Sequence, residues 1–233
     1  MNELDAFHLV RLKVDQVCDA TGIPRARVEI VERLHGTKGP DFTAHVRSER
    51  GSPVIDVPLR VVREYPDAAL TWLLAHEVCH YKRFAGRRMR EKLLTAGMVG
   101  FGALLGVGAL WFVVSTFINQ DGPEGGIFVV AGMFAYTGYM ALVFADSRAE
   151  EREADRFAVK YAGTLDGALQ WAALTHLQVS KARRGVGRLR AVFDPFNRWA
   201  GLVFSTHPYV PLRIDAMRAE LERVGVEKSP PSD

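Results

Sequence analysis

The sequence predicts an α+β chain, mainly helical, with a small N-terminal sheet and a two-helix transmembrane hairpin inserted midway. Three features predict it. Between Val28 and Val57, short β-branched segments sit among Gly and Pro turns. Leu70, Leu73, Leu74 and Glu77 follow helical spacing into the stretch His76-Glu77-Val78-Cys79-His80. Two uncharged runs then follow, Leu93 to Gln120 and Gly125 to Ala145. Each reaches the roughly 20 residues that carry a helix across about 30 Å of hydrocarbon.

Element by element, residues 5–20 read as an amphipathic helix, which Thr21-Gly22-Ile23-Pro24 ends. Val28, Ile30 and Val31 suggest a strand, and Phe42 to Val46 a second one at a sheet edge. Gly51-Ser52-Pro53 forms a turn into a third strand, Val54 to Val57. Pro58 starts a helical turn with Leu59, Val61 and Val62 facing inward, and Asp67 opens a helix over 67–83. After the apolar runs, Ser147 to Ala162 is helical, as is Thr164 to Val179. Lys181 to Arg190 is basic with two glycines and reads as a mobile loop. Arg213 to Val224 forms a last helix, before a disordered tail at 227–233. The chain carries no internal repeat.

Asp121-Gly122-Pro123-Glu124 between the apolar runs is a tight polar turn, so the two helices should return antiparallel. Their many glycines suit close packing of membrane helices. Lys82, Arg83, Arg87, Arg88, Arg90 and Lys92 precede the first run, whereas the turn carries only Asp121 and Glu124. The basic side stays cytoplasmic, which predicts a cell-membrane protein with two crossings and both termini in the cytoplasm.

Composition narrows the classes further. A chain of 233 residues with a formal charge of +3 has ample core material and no spread basic face. Nucleic acid is therefore not an expected partner; the Lys82 to Lys92 run reads as a membrane-surface anchor beside a lipid bilayer. The opening segment has acidic residues and no continuous apolar stretch, unlike a secretory signal. Two cysteines, Cys18 and Cys79, suit a reduced compartment. Cys79 occupies a variable position off the histidine face and reads as packing.

His76 and His80 lie one helical turn apart, so both imidazoles can reach one metal ion. Glu77 can hold a water against that metal and take its proton. A catalytic zinc takes a third protein ligand and keeps one position open. The hairpin brings the chain back near its departure point, where Glu150, Glu151, Glu153 and Asp155 stand. Glu151 and Asp155 share a face at i and i+4; spacing alone does not choose between Glu150 and Glu151.

The pair His76-Glu77-Val78-Cys79-His80 and Ser147 to Asp155 resembles the signature of the HtpX-like membrane zinc peptidases, the gluzincin-type family that includes the CAAX prenyl-protein proteases. The resemblance implies a zincin-like metallopeptidase domain with one Zn2+ per chain and a protein or peptide substrate. Its Glu-x-x-x-Asp pattern picks Glu151 as third ligand and Asp155 as the aspartate supporting the site. Phe204-Ser205-Thr206-His207-Pro208 with Arg213-Ile214 resembles the family's terminal signature. That likeness implies His207 near the substrate carbonyl and Arg213 paired with Asp155 or another acidic group. Glu77 and His207 are then the catalytic groups, and His76, His80 and Glu151 the metal ligands. The halves of the catalytic domain fall at 1–92 and 146–226, with the hairpin at 93–145. Such members usually carry two more membrane helices ahead of the metal motif, so a short relative is expected.

The competing class is an inactive or weakly active membrane scaffold of the same fold that binds partner proteins. A complete ligand set argues against it. A soluble transcription regulator is disfavoured by the apolar runs and by the lack of a helix-turn-helix pattern. Substrate identity and oligomeric state leave no mark in the residues.

Overall fold

The structure is a computed structural model that describes residues 2–32, 34, 43–115, 124–183 and 210–225, without the side chains of 85–94, 124–129 and 176–183. Helix α1, Glu3–Thr21, starts where the Asn2 side chain accepts a hydrogen bond from the Asp5 N–H at 2.8 Å. It ends where Gly22 takes a left-handed φ of 67° that a side chain would resist. Ala6, Val10, Val14 and Val17 recur at helical spacing and are fully buried.

Strands β1 (Val28–Val31), β2 (His45–Glu49) and β3 (Ser52–Pro58) form a mixed sheet in the order β1-β3-β2. β1 runs parallel to β3, with Val28 opposite Ile55. β2 runs antiparallel to β3, with His45 opposite Asp56 and Glu49 opposite Ser52. Arg50 and Gly51 join them at φ values of 49° and 90°. Two positive φ angles suit the right-handed twist of a tight hairpin. This turn shifts β2 later than the expected 42–46, because its pairing is measured back from the turn. Val28, Val46, Ile55 and Val57 point into the core with α1 and the helices. The other face carries charge: Arg47 donates to Asp56 at 2.6 Å and to Glu29, and Arg27 pairs with Glu49 at 2.7 Å.

Helix α2, Leu59–Glu64, follows Pro58, with Val61 and Val62 buried. Helix α3 then runs unbroken from Asp67 to Val113, 47 residues or about 70 Å. The motif helix expected at 67–83 and the first apolar run are thus one element. Charge gives way to apolar residues near Leu93, but no proline interrupts the backbone ladder, which is indifferent to side-chain polarity. Likewise α4, Glu124–Ala162, fuses the second run with the helix expected from Ser147, and stops at Gly163 with φ 70°. Helix α5 covers Asp166–Arg183, so residues 181–183 are helical, not loop. Helix α6, Val210–Val224, begins three residues before the expected Arg213. The turn at 121–123, the rest of the basic segment and the tail lie outside the described residues.

Among the described residues one segment, Thr95–Val113, is long and apolar enough to cross a bilayer, and none of it is buried. A two-helix crossing was expected. The second run lies on α4, whose side chains are described only from Val130. α3 and α4 nevertheless pack along this stretch. Phe101 stacks on Tyr139 at 5.3 Å, and a Cβ on Gly97 or Gly132 would collide with Tyr139 or Leu105. The order of these contacts makes the two helices antiparallel.

Candidate metal centre

α3 presents His76 and His80 from successive turns, both buried against the core, and α4 presents Glu151 opposite them. The two Nε2 atoms lie 3.2 Å apart. Glu151 places Oε1 at 3.4 Å from His80 Nε2 and Oε2 at 3.7 Å from His76 Nε2. Two ligand atoms bonded tetrahedrally to zinc at about 2.05 Å stand about 3.3 Å from each other. The three side chains therefore fit one zinc ion by spacing as well as by donor chemistry.

The choice between neighbouring glutamates is resolved by helix rotation. Glu150 is buried but outside the cluster, being about 100° around α4 from Glu151. Asp155, one turn beyond Glu151, sets Oδ1 3.0 Å from His76 Nδ1. That approach is off-line, and by strict angle Nδ1 has no hydrogen-bond partner among the described residues. The distance still leaves the carboxylate within reach of an Nδ1–H. α6 sends in Arg213, whose Nε and Nη2 donate to the two Asp155 oxygens at 2.7 and 2.6 Å. Its Nη1 stands 3.7 Å from Glu151 Oε2.

Electrostatics follow from this burial. For Asp155, burial pushes the carboxyl up, but the close approach of His76 and the hydrogen bonds from Arg213 outweigh it and hold the group below its ordinary value. Burial works against the Arg213 charge too, and its bond to Asp155 raises the guanidinium above its usual value. Glu77 is raised by burial, opposed by His76, His80 and His45. Cys79 is buried outside the cluster, and desolvation pushes its thiol up to about 11.

Three contributors escaped the sequence. Trp171 on α5 lies under Arg213, 4.7 Å from the guanidinium carbon, and Trp72 bridges Trp171 at 5.0 Å to His76 at 5.4 Å. Both tryptophans read as ordinary apolar positions in their helices; only the fold sets them against the site. His45, exposed at the start of edge strand β2, adds an imidazole whose charge acts on Glu77. A single histidine in a weakly alternating segment carries no signal. His207 lies outside the described residues.

Two histidines and a glutamate from the paired helices α3 and α4, around one zinc position with a buried glutamate beside them, define a zinc metalloendopeptidase. Residues 42–221 match the family described as Peptidase family M48, and the chain belongs to that family. No curated protein and no solved structure matches the chain.

Proposed function

We propose that the protein is a membrane-bound endopeptidase that hydrolyses peptide bonds of protein substrates at the cytoplasmic face of the cell membrane. The observation that carries this reading is the complete His76/His80/Glu151 cluster, with both histidines buried on a helix that continues into an exposed apolar span. Zinc, when bound, supplies a Lewis acid that polarises the scissile carbonyl and lowers the pKa of water. Glu77 acts as the base: it takes the water's proton and returns it to the leaving amine. Its burial favours that role, because a desolvated carboxylate holds a proton more tightly. Asp155, gripped by Arg213, orients His76 through Nδ1 and so keeps Nε2 turned to the ligand position. His207 donates a hydrogen bond to the developing oxyanion.

The bilayer is met by two crossings, α3 beyond Thr95 and α4 before Ala145, with both termini cytoplasmic. Exposed Val99, Leu104, Val107, Leu110 and Trp111 on α3, and Met133, Phe134 and Leu142 on α4, support lipid contact. The basic residues ahead of the first crossing support the orientation.

Purified protein in detergent should hold about one zinc per chain and cleave an unfolded protein such as casein. Glu77→Gln should keep the zinc and lose activity by about 100-fold or more, since the amide cannot accept the proton. Cleavage near the wild-type rate in that variant would rule out Glu77 as base.

A further inference from the structure

Beside the metal centre, helices α3, α4 and α6 border a second, half-open concavity of about 210 Å³. Its wall draws Lys82 and Arg83 from α3, Glu153, Arg156 and Lys160 from α4, and Glu220 from α6. Glu151 and Asp155 leave α4 on one face, and this group leaves it on another. Both carboxylates are already engaged. Glu153 pairs with Arg83 at 2.5 Å, and Glu220, its side chain only 12 % exposed, pairs with Arg223 at 2.6 Å. Lys82, Arg156 and Lys160 have no carboxylate within ion-pair distance among the described residues. Arg156 and Lys160 stand at i and i+4, where like charges repel. After Arg223 is discounted, Arg156 and Lys160 also help to hold the Glu220 carboxyl below its ordinary value.

Among the described residues, these three exposed cations from two helices line one concave wall in excess of its carboxylates and give it a net positive field. At about 30 Å³ per water the space takes a phosphate group together with a few waters. We infer that this cavity is a binding site for a phosphate-bearing anion, distinct from the zinc site and independent of its chemistry. The ligand is a phosphate group carried by a soluble compound or by a lipid headgroup, and the two arms of the test separate these sources. Its binding ties together the helices that carry His80, Glu151 and Arg213.

The test is thermal unfolding of the full-length protein in phosphatidylcholine nanodiscs, titrated with inorganic phosphate against chloride at matched ionic strength. Phosphate should raise Tm saturably over the millimolar range, as a ligand of the folded state does. R156E/K160E should abolish the rise while zinc content stays at the wild-type level. The milder R156Q/K160Q should weaken apparent affinity at least several-fold if the charge reversal fails to fold. E220Q removes a carboxylate from the rim and releases Arg223, so it should tighten binding. A rise that persists unchanged in both double variants comes from phosphate on the zinc and overturns the site. No rise with phosphate, yet one on adding phosphatidic acid to the nanodiscs that R156E/K160E removes, assigns the phosphate group to a lipid headgroup. No rise in either arm overturns the inference.

Discussion

A single residue of rotation separates Glu150 from Glu151, and the consequence is measurable in metal content. Glu151→Ala removes a ligand atom and should lower zinc occupancy severalfold together with activity. Glu150→Ala leaves the cluster intact and should hold wild-type zinc by atomic absorption. Loss in the second variant alone would move the ligand by one position. Glu77 carries an opposite pair of effects. Its carboxylate is raised by burial, so ionising it opposes folding of the metal-free protein. Glu77→Gln should therefore raise the Tm of chelator-treated protein at neutral pH even as hydrolysis disappears. An equal or lower Tm would mean that the buried carboxylate is not strained. Asp155 behaves in the reverse sense. Its pKa is lowered in the folded state, so its stabilisation is complete above the unfolded value near 3.9 and fades as pH falls through the folded one. In zinc-free protein the Tm gap between wild type and Asp155→Asn should be open at pH 6 and close below about pH 4. A gap constant with pH would show that the Arg213 grip does not depend on the Asp155 charge. At this scale the histidines, Glu77 and the acidic helix were legible, because i and i+4 spacing is a local property. Trp72, Trp171 and His45 were not, since their part depends on which helix or strand happens to face the site.

Helices decide the next scale. α5 meets α3 where Gly167 lies so close that a Cβ would strike the Ala68 backbone and come within 2.7 Å of Trp72 Cβ. Backbone on one side and a buried indole on the other leave little room to yield. Gly167→Ala should cost about 1–3 kcal/mol by overpacking, a fall of several degrees in Tm at 2–4 °C per kcal/mol for a chain of this size. The same displacement pushes Trp171 away from Arg213, so zinc affinity should weaken with stability. A variant as stable as wild type would show that α5 can slide on α3. Element positions were largely readable: α1, β1, β3 and α2 fall near their expected places, because caps, turns and alternation are written in a few neighbouring residues. The lengths of α3 and α4 were not. The change from charged to apolar residues near Leu93 marks a change of surroundings, which a helix crosses without any break in its hydrogen bonds. Strand β2 slipped for a related reason, since its register is imposed by β3 through the Arg50-Gly51 turn.

At the scale of the whole molecule, one set of helices carries both the site and the exposed apolar span. α3 carries His76 and His80 near one end and the exposed span Thr95–Val113 at the other, and α4 returns antiparallel to deliver Glu151. Among the described residues, the apolar stretches of α3 and α4 stay exposed apart from their contacts with each other. If both cross the membrane, the catalytic halves must share a side, and the basic residues from Lys82 to Lys92 assign that side to the cytoplasm. Cysteine introduced at Gly122, in a background lacking Cys18 and Cys79, should react with a membrane-impermeant thiol reagent in intact cells. Cysteine introduced at Ser232 should stay protected until the cells are opened. Labelling of Ser232 alone would invert the orientation. Labelling of neither site in intact cells would mean that the turn never reaches the outer side and that α4 does not complete the crossing. Release of the protein by alkaline washing without detergent would leave both helices at the membrane surface, and the shared-side requirement would then rest on the metal cluster alone.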